Sequence, residues 1–126
     1  MAKLVLIVED SETCAETLLI ALESIPDVEV RVIHSAAAAL AALREGAGDI
    51  AAIITDLNLD HFETDGFELI RQLRADPRSA KLPVLLISGD SDPRLPERAL
   101  AQGADAFFPK PYSPSAVRKK LEQLLC

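Results

Sequence analysis

Apolar and polar positions fall along this chain in blocks of two lengths. Short apolar runs at Leu4–Val8, Val28–Ile33, Ile50–Thr55, Val84–Ser88 and Ala106–Phe108 have the length of strands. In the third, Ala51, Ala52, Ile53 and Ile54 follow one another without a polar break, which marks a strand buried on both faces. The segments between carry helical spacing. Glu12–Ile25 places Leu18, Leu22 and Ile25 on one face, and the alanine-rich Ala36–Arg44 follows Ser35 as its cap. Gly66–Ala75 follows Asp65 as its cap and stops before Asp76-Pro77. A fourth helix is predicted from Pro93 or Pro96 to Gln102, closed by Gly103. The last starts at Pro114 behind Ser113 and aligns Val117, Leu121 and Leu124.

Five strand–helix pairs in succession predict an α/β fold, a parallel sheet with helices on both faces. In such sheets ligands bind beyond the carboxyl ends of the strands, where the strand order reverses. The residues that end each strand therefore carry the functional reading. The first strand ends in Glu9-Asp10, the third in Asp56, the fourth in Ser88-Gly89-Asp90 and the fifth in Phe108-Pro109-Lys110-Pro111. Singly, a strand-end acid is ordinarily a helix cap or a solvated turn, Lys110 a surface amine and Ser88 a turn hydroxyl. Gathered at one sheet edge they imply chemistry. Three carboxylates repel, and the remedies are raised pKa values or a bound cation. Oxygen ligands without Cys or His select a hard ion, and Mg2+ suits two carboxylates plus waters and phosphate. Lys110 and Ser88 suit phosphoryl oxygens. The set reads as a carboxylate nucleophile, Asp56, with metal, lysine and hydroxyl arranged for phosphoryl transfer.

Composition narrows the setting. A chain of 126 residues makes one ordinary domain, and 49% apolar with 4% aromatic content implies an aliphatic core. Thirteen basic against 20 acidic residues leave a net charge of −7, which argues against direct nucleic-acid binding. "MAKLVLIVED" turns acidic after five apolar residues, and no run approaches membrane-spanning length, so no membrane partner is expected. Cys14 and Cys126 are too few for a disulfide framework, and a reducing, cytoplasmic location is expected.

The ordered motifs "VLIVED" with Glu9-Asp10, "ITDLNL" with Asp56, "DGFELI", "PVLLISG" with Ser88 and "GADAFFPKP" with Lys110 span essentially the whole chain. Together they resemble the receiver domain of bacterial two-component response regulators. The resemblance implies one receiver domain over residues 1–126, with a flavodoxin-like, doubly wound (βα)5 sheet in strand order 2-1-3-4-5. It implies that Asp56 accepts phosphate from a histidine kinase or histidine phosphotransfer protein. Mg2+ would be held by Asp10, Asp56 and the Asn58 backbone carbonyl, with Glu9 assisting through water. Ser88 and Lys110 would contact the phosphoryl group, and Phe107 falls on the switch aromatic. The face built from the fourth helix, fifth strand and fifth helix would then meet a downstream protein target or form a homodimer. Such a domain catalyses its own phosphorylation and dephosphorylation without being an enzyme in the ordinary sense. The Lys110-Pro111 bond is a candidate cis peptide.

The pattern also departs from the family. Asp60 stands where a proline is common, Asp65-Gly66 come about two residues late, and "DHFET" makes a longer, more acidic loop. Asp60, His61, Glu63 and Asp65 read as solvated loop rather than a second metal cluster, because one His among flexible acids lacks ligand spacing. His34 reads as structural and Cys14 as a small packing residue. Phe107 brings bulk to the switch position but no hydroxyl. Two other readings remain open at this level. One is a phosphorylation-independent receiver-like docking module, and the other a Mg-dependent aspartyl phosphatase suggested by "DLNLD".

Overall fold

The computed structural model describes residues 3–46, 49–58 and 66–125. Five strands and five helices alternate in it: β1 (Lys3–Val8), α1 (Glu12–Glu23), β2 (Val28–Ile33), α2 (Ala36–Gly46), β3 (Ile50–Asp56), α3 (Gly66–Ala75), β4 (Val84–Ser88), α4 (Leu95–Ala101), β5 (Ala106–Pro109) and α5 (Pro114–Leu125). The strands form one parallel sheet in the order β2-β1-β3-β4-β5, the flavodoxin-like arrangement expected. Strand order reverses between β1 and β3. That crevice is where an open α/β sheet places its ligands.

Side-chain alternation divides the core into two layers. Leu6, Val8, Ile53 and Leu86 pack under α2, α3 and α4 with Ala39, Leu43, Leu69, Ile70, Leu73 and Ala99. Val5, Ile7, Ala52, Ile54, Leu85 and Ile87 pack under α1 and α5 with Leu18, Leu22, Val117 and Leu121. Successive residues of β3 thus feed opposite layers, and the run at 52–54 is fully buried. Each large aliphatic side chain so buried contributes about 1.5–3 kcal/mol.

The helix ends follow the capping chemistry. Ser35 Oγ accepts from Ala38 N–H at 3.1 Å and Ser113 Oγ from Ala116 N–H at 3.3 Å. Ser11, which the pattern did not single out, caps α1 by accepting from Cys14 N–H. Helix α1 stops at Glu23, two residues short of the expected Ile25. Proline at 26 has no N–H to continue the ladder, Asp27 sits at φ 62, and Ile25 closes a turn onto Leu22 O at 3.0 Å. Ile25 is buried all the same, in the α1/α5 layer. Helix α2 runs two residues beyond Arg44, and β3 extends one residue, so that Asp56 itself is its last member. The expected cap Asp65, the loop acids Asp60 and Glu63, His61 and Cys126 lie outside the described residues.

Candidate functional site

Pairing fixes which strand ends meet. Val8 of β1 is opposite Thr55 of β3, so Glu9 and Asp56 leave the sheet side by side. Period-2 alternation then separates the acidic pair: Glu9 turns inward and is fully buried, whereas Asp10 is exposed. Asp56 is 4% exposed. One carboxylate oxygen from each of Glu9, Asp10 and Asp56 lies within 4.8 Å of the others. The three acids that the strand-end reading brought together do form one cluster.

Lys110 closes it from the other side. Pairing places Pro109 of β5 opposite Ser88 of β4, and the Lys110 N–H continues the ladder to Ser88 O at 2.7 Å. The Lys110-Pro111 peptide is cis. From there Nζ donates to Asp56 Oδ2 at 2.5 Å and lies 3.5 Å from Glu9 Oε1. Burial works against the ammonium charge, but the bond to Asp56 and the charges of Asp56 and Glu9 outweigh it and hold Lys110 above the usual lysine range. Asp56 Oδ1 accepts the Asn58 N–H at 2.9 Å, so both carboxylate oxygens of Asp56 are held.

Glu9 is the strained member. Its Oε1 accepts from Ser11 N–H at 3.1 Å, but its buried Oε2 has no hydrogen-bond partner among the described residues. Burial, then the hydrogen bond and negative charge of Asp56, push Glu9 up to about 7, against the lowering effect of the Ser11 N–H and of Lys110. Two ionised carboxylates offer each other only acceptors, so that bond exists only once Glu9 carries a proton. Fully ionised, three carboxylates face one ammonium, an excess of two negative charges with an unpartnered buried oxygen. An oxygen donor set with that charge fits a hard divalent cation.

The remaining expected residues lie outside this acidic cluster. Ser88 is fully buried, and its Oγ accepts the Asp90 N–H at 3.0 Å, leaving the hydroxyl proton free to turn. Phe107 is half-buried opposite Leu86 and packs on the α2/α3/α4 layer. His34 is structural, its Nδ1 3.1 Å from Glu9 O. Cys14, Thr13 and Thr17 of α1 face Gly89, Lys110 and Tyr112 across an open cleft of about 410 Å³.

Gly66 is a site residue that sequence reasoning placed at a helix start and in a family motif without giving it a contact. Its N–H donates to Leu57 O at 2.7 Å, and a Cβ there would stand 2.7 Å from Asp56 O and 2.9 Å from Leu57 Cα. The α3 terminus therefore rests directly on the backbone of Asp56. The signal was available in "DGFELI", where a glycine opens the helix that follows the acidic strand.

Comparison with known proteins decides the family. The profile of the response regulator receiver domain matches residues 5–122. The chain belongs to the response regulator receiver domain family. Receiver domains are the phosphoacceptors of two-component signalling and work as phosphorylation-dependent switches. The chemotaxis protein CheY1 of Helicobacter pylori (strain J99) is 31% identical over 77 residues, which are 61% of this chain and 60% of that protein. The match thus spans about three-fifths of the relative's length. The signal receiver domain of a signal transduction histidine kinase from Syntrophus aciditrophicus is 34% identical, with a TM-score of 0.85 over 98% of this chain and 90% of that one. The chemotaxis response regulator CheY4 of Vibrio cholerae is 25% identical, with a TM-score of 0.84 over 99% of this chain and 100% of that one. Among the described residues, no helix is long and apolar enough to cross a membrane.

Proposed function

We propose that this domain works in the cytoplasm, where Asp56 takes a phosphoryl group from a histidine kinase or histidine phosphotransfer protein in a Mg2+-dependent reaction. The single observation that carries this reading is the 2.5 Å contact of Lys110 Nζ with Asp56 Oδ2 beside Glu9 and Asp10. A structural acid needs no such company. When Mg2+ binds, Asp10, Asp56 and the Asn58 carbonyl would hold it directly and Glu9 would act through water. When bound, the ion supplies positive charge for the three phosphoryl oxygens. In the transfer a carboxylate oxygen of Asp56 forms a bond to phosphorus. The bond from phosphorus to the donor's nitrogen breaks, and its electron pair stays on the departing imidazole.

The new group adds about −1.5 to −2 charges at the sheet edge. Lys110 moves its ammonium from the carboxylate to a phosphoryl oxygen, and Ser88 donates its free hydroxyl proton to another. Ser88 ends β4, and Lys110 directly follows β5, the strand that carries Phe107. Their rearrangement changes the α4–β5–α5 face, where a downstream target or a second copy binds.

Incubation with acetyl phosphate and Mg2+, followed by intact mass spectrometry, tests this. One stable phosphoryl adduct in the wild type and none in Asp56→Asn is expected. No adduct would favour the docking module, and rapid turnover of many phosphoesters would favour the phosphatase.

A further inference from the structure

Lys110 reaches Asp56 from a strand whose near end is poorly held. At the edge of the sheet, β5 is four residues long and pairs with β4 in the register Leu85–Ala106 to Ser88–Pro109. Just before the strand begins, the Asp105 N–H bonds Val84 O at 2.8 Å. Parallel ladders repeat every second residue, so the same offset assigns Ser88 O to residue 109. That residue is a proline with no N–H to give, and the Lys110 N–H takes Ser88 O instead at 2.7 Å. The end of β5 that leads into the lysine thus lacks the regular bond that would fix its register.

The other end is held several times over. Asp105 bonds Val84 twice, by its N–H to Val84 O and by its Oδ2 from the Val84 N–H, both at 2.8 Å. The side-chain oxygen stands in for a strand carbonyl and closes a two-bond ring that fits one register. The Arg74 guanidinium of α3 then spans the approaches to both strands. Ahead of β4 it donates to Ala80 O at 3.0 Å and Leu82 O at 2.7 Å. Ahead of β5 it donates to Gly103 O at 2.7 Å and Asp105 Oδ2 at 3.3 Å. A planar, charged fork suits acceptors on two segments, where a compact ammonium does not. Gly103 makes room for it: its φ is 110, and a Cβ there would stand 3.2 Å from Arg74 Cγ and Nε.

A slip of one residue between β5 and β4 would carry Lys110 about 3.3 Å along the sheet and turn its side chain to the other face. Either displacement breaks the 2.5 Å contact of Nζ with Asp56 Oδ2. We propose that Asp105 and Arg74 are positioning residues for Lys110: from the opposite edge of the sheet they fix the register of β5 on β4, and that register delivers the ammonium to Asp56. The consequence for phosphoryl transfer rests on the reading of Asp56 given above. The delivery itself belongs to the metal-free protein and is measured there.

Acetic anhydride labelling, read by peptide mass spectrometry, reports how well Lys110 is covered, with Lys119 and Lys120 of α5 as internal references. Asp105→Ala should label Lys110 about fivefold faster or more relative to those two, and Arg74→Lys should do the same. Asp105→Asn keeps an oxygen for the Val84 N–H and should stay within about twofold of the wild type. Leu43→Ala, a core truncation on α2, lowers stability away from β5 and should leave the Lys110 rate unchanged. A wild-type rate in Asp105→Ala or Arg74→Lys overturns the proposal. So does an equal rise in Leu43→Ala, which would make the effect one of stability alone. If the Asp105 and Arg74 variants do not fold, amide exchange of the wild type decides: the Asp105 N–H should exchange about tenfold or more slower than the Lys110 N–H. A smaller difference or the reverse order overturns an anchor at the start of β5. Fluorine NMR with beryllofluoride, a mimic of the phosphoryl group, separates the two levels. Asp105→Ala should bind it about fivefold or more weakly while Mg2+ affinity stays within about twofold. Wild-type affinity for the mimic in that variant overturns the proposal. A wild type that forms no adduct removes the reading of Asp56, and the labelling rates still decide the positioning.

Discussion

Asp10, Glu9 and Asp56 crowd their carboxylates within 4.8 Å, and among the described residues Lys110 is the one cation that faces them. Removing one negative charge therefore relieves the metal-free protein. Asp10→Asn should raise the melting temperature measured with chelator by roughly 2–5 °C and shrink the stabilisation that Mg2+ provides. A lower metal-free melting temperature with an unchanged Mg2+ response would contradict that role. The opposite change, Lys110→Ala, leaves Asp56 and the fully buried Glu9 without their counter-charge. Proton uptake by Glu9, already pushed up to about 7, blunts the cost, and a loss of roughly 1–3 kcal/mol in metal-free urea unfolding is expected. Mg2+ binding should survive, since the lysine is no ligand, whereas the phosphorylation-dependent spectral change around Phe107 should disappear. Full coupling in the variant would show that Lys110 does not read the added charge.

Among the elements, α3 is the one whose placement the site depends on most. Gly66 opens it against Asp56 O and Leu57 Cα, and both neighbours are backbone, which cannot step aside as a flexible side chain can. Gly66→Ala should cost about 1–3 kcal/mol in urea unfolding and slow phosphorylation together with it. A variant of wild-type stability and rate would mean that α3 stands off the strand. The glycine of "DGFELI" marked the position but not the contact, because periodicity places a helix without saying what its first residue touches. The strands were far more legible. Their bounds held to within one residue, since the inner strands run apolar up to a polar end, while edge strand β2 alternates, with Glu29 and Arg31 exposed between its valines. The end of α1 was not, because Ile25 keeps the apolar spacing of the helix while Pro26 and Asp27 have already turned the chain.

Over the whole molecule, the assembly of Glu9, Asp10, Asp56, Ser88 and Lys110 followed from topology, which sends five strand ends to one edge. Alternation told less: Glu9-Asp10 read as a pair, and only the sheet register shows which carboxylate is buried. Arg74 was invisible, because its bonds reach residues up to 31 positions away and nothing local marks an arginine in the last turn of an amphipathic helix. Those long-range ties join α3, the approach to β4, the turn after α4 and the start of β5. The central claim is that Asp56 is where the signal enters. Reductive trapping with borohydride tests it most directly, because an aspartyl phosphate is reduced to homoserine and keeps its place in the peptide map. After treatment with a phosphodonor and Mg2+, homoserine is expected at position 56 alone and only when the metal is present. Homoserine at Asp10 or Asp90, or trapping that is indifferent to Mg2+, would contradict the account.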